Sequence, residues 1–210
     1  MMRVPWSMRI LPPSWQLGAE EHPMGSRFHA STTSLAGVWI LERQPLSDDR
    51  GFFERLFCAD ELRAWGHPGV IAQANRSMTR RCGAVRGMHF QHPPHGEWKL
   101  ITCLHGRVHD VIVDLRQGSS TLLQRFSVEL SGDANRSILV PSGCAHGFQT
   151  LTTDCEMLYF HSHPFTPSAD GGIRVDDPRL AIPWPLPFTE RSARDTQHPL
   201  LPADYSGLIP

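Results

Sequence analysis

The sequence predicts an all-β chain, an antiparallel barrel or jelly roll, and three observations lead to that class. Short runs rich in Val, Ile, Leu, Phe and Tyr recur through its second half: KLITCL (99–104), RVHDVIVDL (107–115), LLQRFSVEL (122–130), RSILV (136–140) and CEMLYFHS (155–162). Their length and composition are those of strands. The linkers QGSS and SGDAN supply turn residues between them. No helical pattern separates the runs, as a parallel βαβ sheet would require.

Taken in order, residues 1–34 carry Pro5, Pro12, Pro13 and Pro23 and end in a Ser/Thr stretch, with neither helical nor strand periodicity. They read as a flexible N-terminal tail. Residues 35–210 then read as a single domain, since the 210-residue length suits one core. CADELRAWG (58–66) is the one compact helix candidate, closed by Gly66. Within 108–115, alternation puts Val111, Val113 and Leu115 on one face and Asp110, Ile112 and Asp114 on the other, a half-polar strand.

Charge and cysteine content narrow the function. Twenty basic and 21 acidic residues leave a net charge of -1, so no basic footprint for nucleic acid or a membrane surface exists. No apolar run reaches the ~18 to 20 residues of a membrane span, and the N-terminus lacks a signal-peptide core. A cytoplasmic protein is expected. The five cysteines have no zinc-type spacing and read as reduced structural thiols. The 12 histidines carry more information, because imidazole titrates near neutrality and is the commonest metal ligand.

Two patterns bring histidines to chemistry. PSGCAHGF places Pro141, Gly143 and His146 in the order of the second motif of the cupin superfamily of jelly-roll barrels, which the chain resembles. The first cupin motif is met by Gly83, His89, Glu97 and Gly106, but Gln91 stands where the second histidine belongs. An amide is a poor substitute for imidazole on a transition metal. A reduced ligand set of His89, Glu97 and His146 stays open, beside metal-free proton chemistry.

A longer series of segments is similar to the dTDP-4-dehydrorhamnose 3,5-epimerase family, metal-free cupins. It comprises DDRGFFERLF (48–57), QANRSMTRRCGAVRGMHFQ (73–91), HGEWKLITCLHGRVHDVIVDLRQGSST (95–121), LVPSGCAHGFQTL (139–151), EMLYF (156–160), VDDPRLAIPWP (175–185) and SARD (192–195). The resemblance implies a cupin-type jelly-roll barrel with short flanking helices, and an isomerase inverting C3, C5 or both in a nucleotide-linked 4-keto-6-deoxyhexose. It implies no metal and no organic cofactor. By that resemblance His89 is the base, Asp195 the carboxylate that holds it, Tyr159 the acid on the opposite face and Lys99 the partner of the enolate. Arg50, Arg86 and His146 match positions at the substrate and its diphosphate, and Gln73 and Asn75 match a polar strand lining the pocket.

The family also implies a homodimer with exchanged N-terminal strands, in which Arg50 serves the partner's site. Two departures mark this chain. GEWKL replaces the family's common AQGKL, bringing Glu97 and Trp98 beside Lys99, and HPF puts Phe165 where many members carry a Tyr-Tyr pair that packs on the base. Rival readings are a metal-dependent cupin, either a dioxygenase or an isomerase, a ketoisomerase of the same barrel, and a non-catalytic sugar-nucleotide binder.

Overall fold

The computed structural model describes residues 25–209. Thirteen strands and two five-residue helices follow the chain: β1 (Phe28–Thr32), β2 (Trp39–Arg43), β3 (Leu46–Asp48), β4 (Gly51–Phe53), α1 (Ala59–Arg63), β5 (Gln73–Thr79), β6 (Val85–Gln91), β7 (Lys99–His105), β8 (Arg107–Asp114), β9 (Arg125–Ser131), β10 (Arg136–Val140), β11 (Cys144–Thr150), β12 (Cys155–His161), β13 (Asp170–Gly172) and α2 (Ala193–Gln197). A six-stranded sheet in the order β1-β2-β10-β7-β12-β5 faces a five-stranded sheet in the order β13-β6-β11-β8-β9, and β3 and β4 form a separate hairpin. Every paired strand is antiparallel. The expected jelly-roll barrel with short flanking helices is the fold observed.

Three apolar clusters explain why these layers stack. Ile101, Cys103, Ile138 and Met157 of the larger sheet meet Val108, Ile112, Leu130 and Phe148 of the smaller one and fill the space between them. Outside the larger sheet, Leu62 and Trp65 from around α1 cover Phe28, Leu41, Leu100 and Leu139. Outside the smaller sheet, Ile173, Val175, Leu180 and Leu201 cover Val85, Met88, Val111, Val113 and Leu115. The half-polar strand β8 is thereby buried on both faces. Its apolar side is capped by the C-terminal segment, while Asp110 and Asp114 are fully buried on the other.

The tail read over residues 1–34 is too long. Its end forms β1, where Phe28 and Ala30 alternate inward against β2 and α1. Its first 24 residues lie outside the described residues. The DDP turn at 176–178 is structural. Asp177 accepts from the backbone N–H groups of Arg179 (2.8 Å) and Leu201 (2.6 Å), pinning the C-terminal segment.

Candidate active site

A cleft of about 260 Å³ opens between the sheets, beside the central apolar cluster. Residues two apart on a strand share a face, so β5 presents Gln73, Asn75 and Ser77 to it, and β12 presents Tyr159 and His161. β6 supplies Arg86, His89 and Gln91, β11 supplies His146 and Phe148, and β7 begins at Lys99.

Arg86 and His89 are three residues apart, a spacing that an unbroken strand would point to opposite faces. The β6–β11 register slips between the rungs His146–His89 and Phe148–Arg86, and the slip turns both side chains into the cleft. Two glycines permit it. A Cβ on Gly87, whose φ is +132°, would stand 2.5 Å from the Gly147 Cα, and one on Gly147 would stand 2.6 Å from the Met88 Sδ.

His89 Nε2 lies 2.8 Å from Asp195 Oδ1. The carboxylate is buried, and its second oxygen accepts from the Gly87 N–H at 3.3 Å. Asp195 sits in the first turn of α2, whose N-cap Ser192 accepts from the Asp195 N–H at 3.0 Å. Burial alone would raise the Asp195 pKa, but the hydrogen bond and charge of His89, with those from Gly87 and Ser192, hold it below the usual carboxylate value. Asp195 is therefore ionised at neutral pH, and it fixes a proton on His89 Nε2. Nδ1 is the ring nitrogen left to act as a base.

Across the cleft, on the opposite sheet, Tyr159 places its hydroxyl 3.4 Å from Ser77 Oγ. Desolvation pushes its pKa well above that of an ordinary phenol, outweighing the Ser77 contact. Tyr159 is held as a proton donor. His161 beside it is lowered to about 4, first by burial and then by the charge of Lys99, so it is neutral.

Lys99 donates to the His89 carbonyl at 3.0 Å and pairs with Glu97 at 3.0 Å, both side chains being more than nine-tenths buried. Glu97 is thus the counter-ion of Lys99. That role explains the carboxylate at this position, and its second oxygen has no hydrogen-bond partner. Trp98 packs with the cluster around α1, away from the sugar-sized space.

His146 is engaged by Asp110, with 2.7 Å between Nε2 and Oδ2, and both are buried. The reduced ligand set of His89, Glu97 and His146 does not converge. Among the described residues, the ligand atoms that do meet belong to His89, Asp195 and His198.

Gln91 uses its amide as only an amide can. Its Nε2 donates to the carbonyls of His95 (3.0 Å) and Pro164 (3.2 Å), while its oxygen accepts from the Thr166 N–H (2.6 Å). Gln73 accepts from the Phe165 N–H at 2.9 Å, so the two glutamines tie down the rim on which Phe165 stands exposed. Asn75 lies 3.3 Å from His161 Nε2. Arg86 lines the cleft and donates from Nε to Thr79 Oγ1 (2.8 Å) and from Nη2 to the Met78 carbonyl (3.4 Å).

Arg50 is not brought to this cleft. It lies on the exposed β3–β4 hairpin and, among the described residues, pairs with Asp48 two residues away. Sequence reasoning missed Asp110, His161 and His198. A carboxylate amid a buried strand needs a partner, and the position two after Tyr159 shares its face, so the first two were recoverable from alternation. His198 lies beyond any motif used.

An imidazole–carboxylate pair on one sheet faces a protonated phenol on the other, an arrangement that fits a class, the jelly-roll isomerases that move protons on a polar substrate. The comparisons narrow it. The family described as dTDP-4-dehydrorhamnose 3,5-epimerase matches residues 32–203, and the chain belongs to it. It is 39% identical over 180 residues to a dTDP-4-dehydrorhamnose 3,5-epimerase of Streptomyces griseus, covering 84% of this chain and 89% of the relative. It is 36% identical over 178 residues to a dTDP-4-dehydrorhamnose 3-epimerase of Streptomyces niveus, covering 84% and 86%. Among solved structures, the Bacillus anthracis dTDP-4-dehydrorhamnose 3,5-epimerase with TDP and PPi bound superposes with a TM-score of 0.80. That match has 37% identity and covers 83% of this chain and 99% of the other.

Proposed function

We propose that this protein epimerises a nucleotide-linked 4-keto-6-deoxyhexose at C3, C5 or both, through an enolate and without a metal or organic cofactor. The observation that carries this reading is the opposition of the His89–Asp195 pair and Tyr159 across one cleft. A carbon next to the C4 ketone loses its proton to His89 Nδ1, and the C–H electrons pass into the enolate. Asp195 stabilises the imidazolium that forms. Lys99 meets the negative charge on O4 with its ammonium. Tyr159 returns a proton to the same carbon from the other face, which inverts it. Arg86 and His146 bind the diphosphate side, and Phe165 on the rim stacks on the nucleotide base. The unpaired thiols of all five cysteines suit the reducing cytoplasm.

The same reading makes the protein a homodimer. The β3–β4 hairpin exposes Phe52 (73%) and Phe53 (72%), an apolar surface suited to a second copy, and carries Arg50 beyond its own cleft. The decisive experiment incubates the protein with dTDP-4-keto-6-deoxyglucose in D2O and follows C3 and C5 by NMR. Deuterium at one or both carbons is expected, lost in His89→Ala and Asp195→Ala. Tyr159→Phe keeps exchange at one carbon while losing inversion. Unchanged exchange in His89→Ala would remove the base assignment, and a folded wild type without exchange would remove the substrate.

A further inference from the structure

We propose that His89, Asp195 and His198 form a zinc-binding site, and that a bound zinc ion holds the proton-transfer pair in an inactive state. The ligand atoms of all three lie within 4.8 Å of one another. His89 Nε2 and His198 Nε2 stand 2.8 Å and 4.0 Å from Asp195 Oδ1. Zinc bonds of about 2.0–2.2 Å to nitrogen and oxygen put tetrahedral donors about 3.3 Å apart. The measured spacings bracket that value, and rotations of the side chains close it. Two imidazoles and a carboxylate are a common donor set for this metal, with the remaining position open to water.

His198 is seated deliberately. Gly172 is the rung partner of His89 in the β13–β6 ladder, and any Cβ there would run into the His198 ring. The imidazole occupies the space this glycine leaves and stands edge-on to His89, with ring centroids 5.7 Å apart at 70°. Its Nε2 is buried and has no hydrogen-bond partner. Buried polar atoms are seldom left so, and a ring nitrogen without a partner beside a carboxylate suits a cation.

Zinc binding displaces the proton from His89 Nε2 while Nδ1 takes one up from solvent, so the ring stays neutral and no net proton is released. A neutral imidazole bound to metal through Nε2 carries its proton on Nδ1, so His89 no longer offers a lone pair to the sugar. The diphosphate and base contacts lie elsewhere in the cleft, so kcat falls while KM is unchanged. This kinetic consequence rests on the base role proposed for His89, whereas the binding does not.

The test titrates zinc chloride into the wild type, His198→Ala and His198→Phe by calorimetry, with cobalt(II) absorption as a second probe of ligand number. His198→Phe fills the seat without a lone pair and covers the case in which the alanine variant unfolds. One zinc per chain is expected in the wild type. At least tenfold weaker binding is expected in the folded variants. The ratio of exchange rates with and without zinc should fall at least tenfold in the wild type and stay near one in the variants. Absence of wild-type binding at millimolar zinc, or variants that bind as the wild type does, overturns the site. Zinc binding that depends on His198 in a protein without exchange activity upholds the site and overturns the epimerase reading instead.

Discussion

Two imidazole–carboxylate pairs share one rung of the β6–β11 ladder, and exposure decides which one is suited to take a proton. His89 and His146 are register partners, each holding a carboxylate oxygen within 2.8 Å of Nε2. The His89 side chain is 33% exposed toward the cleft, whereas that of His146 is 7% exposed over a fully buried Asp110. A base must reach its substrate, so the accessible ring is the catalytic candidate and the locked one a binding wall. The acid can be judged by its pH behaviour. With the Tyr159 pKa raised above the ordinary value of about 10, the phenol keeps its proton as pH rises to that value, and the donor form is present throughout. The inversion rate is therefore expected to stay flat between about pH 8 and 10. NMR progress curves across that range check it. A decline there that vanishes in Tyr159→Phe, where only the residual exchange is left to titrate, would contradict the assignment.

At the scale of the element, β6 shows how a strand can break its own period to serve a site. Val85 and Met88 lie in the outer cluster while Arg86 and His89 face the cleft, so one residue of phase is lost at Gly87. Gly87→Ala adds a methyl against the Gly147 backbone at a positive φ. It is expected to cost about 2–4 kcal/mol, a sum of overpacking and backbone strain. Denaturant midpoints measure that cost, and the variant should also lose exchange through misdirection of His89. The same strand shows what sequence patterning reads. KLITCL, RVHDVIVDL, RSILV and CEMLYFHS became β7, β8, β10 and β12 because strands packed on both faces read as short, nearly continuous apolar runs. β5, β6 and β11 carry Asn75, Arg86, His89 and His146 toward a cleft, so apolar periodicity fails on them. Their residues were legible only through the family's motifs. The seat of His198 depends on a glycine 26 residues away in the chain, which no local pattern records.

For the whole molecule, four layers stack as α1, the larger sheet, the smaller sheet and the C-terminal segment, and the β3–β4 hairpin is the element without a place in them. An exposed ribbon bearing two phenylalanines and Arg50 has no packing reason to exist in an isolated chain, but it has one if it completes a second subunit. A complementation experiment tells these situations apart. Arg50→Ala and His89→Ala are each expected to be nearly inactive, one for want of a diphosphate contact and the other for want of a base. If Arg50 serves the partner's cleft, a mixed dimer holds one complete site, built from the His89 of one chain and the Arg50 of the other. Random re-association of equal amounts makes half the dimers mixed, so about a quarter of all sites regain function. The expected recovery is therefore about a quarter of wild-type exchange after denaturing and refolding the variants together, with none when they are refolded apart. No recovery, with light scattering showing dimers, would mean that Arg50 works within its own subunit or does not work at the site at all. Monomers by light scattering would remove the shared site altogether.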